Sequence, residues 1–334
     1  MGPSMRDVAA RAGVSPKTVS NVVRGWPNVT DETRARVNEA LEALGYRMNL
    51  SARMLRSGRS GMLALAVPYL AVPYFAELTS GIVRVAEARG WTVQVEQTDG
   101  SLDHELRVLQ GARGNLIDGL ILSPYAAGPE HIAARTAPTP LVLLGERIGH
   151  GAADHVAVDN VSAARDMVSL LVSRGYRRIA AIGLVGGATG QHSRMRLEGY
   201  EQALARAGLP LVPEHQRQVS EFGRAEGARA MDELLDLPER PDAVFCFDDL
   251  LALGALHAAH ERGVRVPDEI AVAGFDDIEE SRYCYPTLTT VRPDKEALAR
   301  QAVELVLARL DAGDSEPPRS MVPDYALVER DSTA

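Results

Sequence analysis

Hydrophobic positions follow one rhythm up to about residue 60 and another beyond it. In the first stretch apolar side chains recur at helical spacing in short bursts: Val8, Val19 and Val23, then Val37, Leu41 and Leu44. Ser4 followed by Asp7 is a capping-box-like start. It predicts a helix from Met5 to Ala12 that stops at Gly13, where a positive φ is tolerated. Ser15 then caps a second helix opening on Pro16, a residue pre-shaped for the first helical position and needing no amide partner. A third helix is predicted from near Thr30, with Asp31 and Glu32 at its positive end, to Gly45. Two short helices joined at Gly13 suit insertion into a major groove. With Val8, Val19 and Val23 turned inward, Pro16, Lys17, Ser20 and Asn21 occupy the exposed start and face of the second helix, where base edges would be met.

Beyond residue 60 the apolar positions become continuous runs: Leu63 to Val67, Thr92 to Val95, Leu120 to Leu122, Leu141 to Leu144, Ile179 to Ile182, Ala243 to Cys246 and Ile270 to Ala273. Helix-like or loop segments separate them, which implies parallel sheets covered on both faces. So long a stretch exceeds one comfortable core and divides into two lobes. Asp159-Asn160 marks one crossing between lobes and Thr289-Thr290-Val291 another. The first lobe is then expected over about 61–159 and 292–320, the second over about 160–291 and 321–334. The expected fold is a multi-domain chain, an all-α helix-turn-helix head (1–60) on an α/β two-lobe body (61–334), with a ligand cleft beyond the carboxyl ends of the strands.

Charge sharpens this division. Residues 1–60 hold ten Arg or Lys and five Asp or Glu, a net +5, whereas the whole chain is −9, so the body carries −14. A basic head on an acidic body favours phosphate contact through the head alone. No apolar run is long enough to span a bilayer and no export signal is seen, so a cytoplasmic protein is expected. The two cysteines, Cys246 and Cys284, lie far apart without metal-ligand spacing and read as buried apolar residues rather than a disulfide or zinc site. The glycines in Gly183 to Gly190 follow a strand as a dinucleotide-binding loop would, which makes a nucleotide-dependent oxidoreductase the enzyme alternative. Their spacing does not match Gly-x-Gly-x-x-Gly, and no P-loop lysine follows. The acid pairs Asp248-Asp249 and Asp276-Asp277 lack histidines at ligand spacing, so neither a metal nor a cofactor is expected, and His192, alone near the cleft, reads as a surface or hydrogen-bonding residue. A solute-binding protein of a transporter would share the two lobes but needs an export signal in place of the head.

The head, together with Asp159-Asn160-Val161-Ser162-Ala163-Ala164, Arg196-Leu197-Glu198-Gly199-Tyr200, Asp248-Asp249-Leu250-Leu251-Ala252-Leu253-Gly254, Val272-Ala273-Gly274-Phe275-Asp276-Asp277, Pro286-Thr287-Leu288-Thr289-Thr290-Val291 and Leu327 to Thr333, resembles the lactose/galactose repressor (LacI/GalR) family of bacterial regulators. The resemblance spans essentially the whole chain in order. It implies a body of the type I periplasmic-binding-protein kind and a repressor whose grip on a near-palindromic operator is set by a small effector, a saccharide or related metabolite, bound between the lobes. It implies a DNA-facing set of Ser15, Pro16, Lys17, Thr18, Ser20, Asn21, Asn28 and Leu55. Leu55 falls in a hinge helix, 49–58, at the position of a leucine that wedges into the minor groove. Family members often carry arginine where Asn21 stands and proline where Met48 stands, so base preference and hinge rigidity are this chain's own. The implied effector contacts are Arg196, Phe222, Asp248 and Asp276, with Tyr74 and Phe75 facing them from the first lobe. Asp248 replaces a common asparagine, and Gly145 a common aspartate; Glu146 is the nearby candidate for the missing polar contact. Asp249 and Asp277 are expected to serve structure. With no leucine-heptad tail after Thr333, a homodimer is expected rather than a tetramer.

Overall fold

Residues 3–23, 26, 28–46, 59–111, 116–145, 151, 153–186, 190–312 and 316–334 are described by a computed structural model. The chain separates into two units, Met1–Ser60 and Gly61–Ala334. In the head, α1 (Met5–Ala12), α2 (Pro16–Val23) and α3 (Asp31–Ala43) form as the capping residues predict. The Ser4 amide donates to Asp7 Oδ2 at 2.7 Å while Ser4 Oγ accepts from the Asp7 amide, so two of the orphan donors at the start of α1 are satisfied. The Ser4 contacts hold the Asp7 carboxyl below its usual range. Gly13 ends α1 at φ 63°. Val8, Val19 and Val37 are completely buried with Ala9, Ala12, Val22 and Ala40 around them, while Val23, Leu41 and Leu44 pack at the rim. A core this small leaves the head close to the lower size limit for independent folding. The expected hinge, 49–58, including Leu55, lies outside the described residues, as do Met48 and Glu146.

The body contains two six-stranded sheets. The first lobe has β1 (Met62–Val67), α4 (Pro73–Glu87), β2 (Thr92–Gln97), α5 (Leu102–Leu109), β3 (Gly119–Leu122), α6 (Pro129–Ala133), β4 (Leu141–Leu144) and β5 (Asp154–Val156). The second has α7 (Asn160–Ser173), β6 (Ile179–Leu184), α8 (Gln191–Arg206), β7 (Gln216–Gln218), α9 (Arg224–Leu235), β8 (Ala243–Cys246), α10 (Asp249–Glu261), β9 (Ala271–Phe275) and β10 (Thr289–Pro293). The chain then returns to the first lobe with α11 (Lys295–Ala312) and β11 (Ser320–Met321), and ends in the second with β12 (Tyr325–Val328). The strand orders are β11-β5-β4-β3-β1-β2 and β12-β10-β9-β8-β6-β7. Every neighbouring pair is parallel except β10 and β12.

Three details differ from the sequence reading. Thr289 to Val291 do not form a crossing: they begin β10, with Val291 opposite Phe275, and the chain leaves the second sheet only after Pro293. Met321 still belongs to the first sheet, paired with Val156. Cys246 is buried, but Cys284 is half-exposed, its Sγ 3.2 Å from the Pro286 carbonyl.

Helices cover both faces of each sheet, and glycine decides how closely they approach. A Cβ on Gly254 of α10 would sit 1.9 Å from the Arg224 carbonyl oxygen, and one on Gly227 of α9 2.1 Å from the Leu251 carbonyl oxygen. The two helices therefore meet backbone to backbone, each glycine admitting the other chain. Gly254→Ala is expected to lower the unfolding free energy by about 1–3 kcal/mol or more through overpacking, read as a lower urea midpoint at unchanged slope.

Candidate functional site

Two surfaces carry the chemistry, one on each unit. On the head, Ser15 Oγ accepts from the Thr18 amide at 3.1 Å and lies 2.9 Å from the Thr18 hydroxyl, so both side chains are engaged in capping α2. Pro16, Lys17 and Asn28 are exposed, and Ser20 and Asn21 half-buried on the same helix as Lys17. The Asn21 carbonyl accepts from the Trp26 amide at 3.0 Å, and the Trp26 carbonyl takes an Arg34 guanidinium hydrogen bond at 3.0 Å. These bonds tie Trp26, beyond the end of α2, to both α2 and α3.

In the body, the strand orders place a switch point between β1 and β3 in one lobe and between β6 and β8 in the other. Loops leave those strands in opposite directions there and open a crevice. A cavity of about 390 Å³ lies across the two, lined by residues that follow those strands: Pro68, Tyr69, Ser123, Pro124 and Tyr125 from the first lobe, Val185 and Asp248 from the second. Tyr74, Phe75, Arg196, Phe222, Asp248 and Asp276, expected from the sequence, all line it. Sequence reasoning missed Tyr69, Tyr125, Gln191 and Glu221 and placed His192 near the cleft only as a surface or hydrogen-bonding residue; all five line the same cavity. Their signal was position, since each of the two tyrosines falls in the loop just beyond an apolar run.

Arg196 on α8 organises the floor. Its Nε donates to Asn160 Oδ1 at 2.7 Å and its Nη1 to the Phe247 carbonyl. Its Nη2 lies 3.8 Å from Asp276 Oδ1, and its guanidinium carbon sits 3.6 Å above the centre of the Phe275 ring. Asp276 itself follows β9 at φ 116° and Asp277 at φ 46°, in the left-handed region where aspartate is among the better-tolerated non-glycine residues. His192 packs edge-on against Phe222, ring centres 4.9 Å apart. Burial and the neighbouring Arg196 charge push its pKa down to about 3, so it is neutral over the physiological range.

The acid pairs divide their work by position. Asp248 caps α10, its Oδ1 accepting from the Leu251 amide at 2.7 Å. Its neighbour Asp249 is turned inward and accepts from Thr290 Oγ1 at 2.6 Å, Ser281 Oγ at 2.7 Å and the Ile278 amide at 3.0 Å. Asp277 is held by Arg330 at 2.6 Å and Arg282 at 3.4 Å. Neither Asp249 nor Asp277 lines the cavity. Burial pushes Asp248 and Asp249 up to about 7.

One polar cluster fastens the lobes. Lys295 of α11 pairs with Glu77 of α4, both in the first lobe, and its Nζ donates to the Asp277 carbonyl at 3.1 Å. Glu77 Oε1 in turn accepts from the Glu279 amide at 3.1 Å. Gly145, with φ 79°, lines the cavity, and a Cβ there would meet nothing within 4 Å. Among the described residues no group of His, Cys, Asp and Glu is arranged to hold a metal, and no helix is long and apolar enough to cross a membrane.

A helix-turn-helix head joined to a two-lobe binding body with a polar, aromatic-lined cleft defines a ligand-responsive DNA-binding regulator. Residues 4–49 match the bacterial regulatory proteins of the lacI family, and residues 168–333 match the periplasmic binding protein-like domain. The HTH-type transcriptional repressor CytR of Escherichia coli (strain K12) is 33% identical over 334 residues, covering 99% of this chain and 96% of that protein. A transcriptional regulator CelR–cellobiose complex is 30% identical with a TM-score of 0.72, covering 99% of both chains. The lac repressor dimer bound to operator and the anti-inducer ONPF has a TM-score of 0.83 at 26% identity, covering 100% of this chain and 99% of that one. The chain belongs to the LacI family of bacterial transcriptional regulators.

The raised Asp248 pKa fixes the sign of a pH effect. Between its ordinary value of 3.8 and about 7 the folded protein holds a proton that the unfolded chain releases, so stability falls as pH rises through that window. Asp248→Asn keeps an acceptor for the Leu251 amide but has no charge to bury. Its melting temperature is expected to gain on wild type progressively between about pH 4 and pH 7, by about 2–4 °C for each kcal/mol relieved, in calorimetry; a difference that does not change with pH would contradict this.

Proposed function

We propose that this chain is an operator-binding repressor that acts as a homodimer on a near-palindromic site and is controlled by an uncharged small effector, a saccharide or related metabolite, held between the lobes. The observation that carries this reading is the cleft floor, where Arg196, Asp248 and Asp276 converge beside Phe222 at a sheet switch point. A guanidinium and carboxylates can fix the hydroxyls of a ring whose apolar face lies on an aromatic side chain. On the head, Lys17 and Asn21 read base edges. Lysine donates to guanine O6 or N7, and asparagine pairs with adenine. Effector binding changes lobe closure, which alters the spacing of the two heads and therefore operator affinity. The relatives bearing on this reading include regulators whose structures hold cellobiose or an operator. The reading places the protein in the cytoplasm, with neither catalysis nor a cofactor.

Lys17→Ala is expected to weaken operator binding by about 1–3 kcal/mol in a gel-shift titration; unchanged affinity would remove Lys17 from the reading surface. Asp276→Ala is expected to abolish the effector response while sparing operator binding without effector, and a variant that responds normally would remove Asp276 from the site.

A further inference from the structure

We propose that the cleft takes an uncharged glycoside of two rings, a hydroxylated sugar ring joined to a second ring, and rejects phosphorylated ligands. This rests on the regulatory reading above and narrows its ligand to a class.

Charge gives the first reason. Among the described residues lining the cavity there are three carboxylates, Glu221, Asp248 and Asp276, and one guanidinium, Arg196. That guanidinium donates to Asn160 and the Phe247 carbonyl, its Nη2 faces Asp276 at 3.8 Å and Phe275 covers one face, so its charge is already balanced by a carboxylate of the site. His192 adds no charge, because burial keeps its ring neutral. A phosphate would meet more carboxyl groups than cations, and the one cation already faces Asp276.

The unspent polar groups give the second. Asp248 is 4% exposed, yet only its Oδ1 has a protein partner, so its Oδ2 is left for the cavity that it lines. Neither the Glu221 carboxylate nor the phenol hydroxyls of Tyr69 and Tyr125 have hydrogen-bond partners among the described residues. The carboxylates accept and the phenols both donate and accept, so the set suits ligand hydroxyls, which do both.

The third reason is the placing of the aromatic rings, which stand at both switch points. Tyr69 and Tyr125 pack edge-on at 5.8 Å on the first lobe, and Phe222 packs against His192 on the second. The tyrosine pair stands in a space kept by Gly100, where a Cβ would lie 2.7 Å from the Tyr69 hydroxyl and 2.9 Å from Tyr125. One ring of the ligand lies on Phe222 over the Arg196 floor and the other against the tyrosines. A cavity of about 390 Å³ has room that a single hexose does not fill.

Isothermal titration of the full chain tests this with cellobiose, maltose, cytidine and adenosine as neutral two-ring probes, glucose and ribose as one-ring probes, and glucose 6-phosphate and cytidine 5′-phosphate as anions. Disaccharide and nucleoside arms distinguish the two sources of such a glycoside. At least one neutral two-ring probe is expected to bind at least tenfold tighter than its one-ring component and its phosphorylated counterpart. Tyr125→Ala should cost that probe tenfold or more and leave the one-ring component unchanged, while Tyr125→Phe, which keeps the ring, should restore most of it. The proposal is overturned by a phosphorylated probe binding best, by one-ring probes binding as tightly as two-ring ones, by no response to any neutral two-ring probe, or by an indifferent Tyr125→Ala. If any of these occurs while an operator fragment is still retained and released by some other ligand, only this proposal falls; loss of all operator retention would instead defeat the regulatory reading.

Discussion

The cleft depends on one buried guanidinium. Arg196 joins the start of α7 through Asn160, the end of β8 through the Phe247 carbonyl and the end of β9 through Phe275 and Asp276. Those segments are distant in sequence and would not otherwise share a fixed geometry. Burying a charge is costly unless it is paired and hydrogen-bonded, and here two hydrogen bonds, the Asp276 carboxylate and an aromatic ring against one guanidinium face answer it. Removing the guanidinium would leave the Asp276 carboxylate without that charge partner, so the floor stands or fails as a unit. Because the floor is set before any ligand arrives, a ligand loses little in ordering it.

Doubling each aspartate separates recognition from support. At Asp248-Asp249 and at Asp276-Asp277 the first carboxylate lines the cleft and the second anchors a loop from behind, to Thr290 and Ser281 in one case and to Arg330 in the other. The Asp277 carbonyl also receives Lys295 from the first lobe, and the Glu279 amide reaches Glu77. Neighbouring residues thus connect the ligand floor to the seam between lobes. Asp276 is thus one peptide unit away from a contact that joins the two lobes.

Much of this was legible in the sequence. The seven runs all became strands: six are buried and uninterruptedly apolar, as strands covered on both faces are, while the edge strand β2 is half-buried and alternates valine with polar residues. The five missed strands lack that signature: Gln216–Gln218 is wholly polar at a sheet edge, Thr289–Pro293 opens on two buried threonines, and β5, β11 and β12 are short or only partly buried. In the cleft, motif-borne residues such as Arg196 and Asp276 were identified in advance, whereas Tyr69, Tyr125 and Glu221 sit in loops with no motif. Only the strand order, which no periodicity reveals, marks those loops as facing a switch point. His192 was placed near the cleft without a role there, because a lone histidine carries no sign of the ring it packs against.

The central claim is that a ligand on the Arg196 floor and an operator on the head compete or cooperate through one chain. Linkage makes this directly measurable, because the factor by which ligand changes operator affinity must equal the factor by which operator changes ligand affinity. Both are obtained by titrating the full chain with a fluorescent operator at zero and saturating ligand, and with the ligand at zero and saturating operator. The account predicts equal factors of at least about fivefold, the lower end of typical couplings, in wild type and none in Asp276→Ala; operator affinity indifferent to a ligand that demonstrably fills the cleft would contradict it.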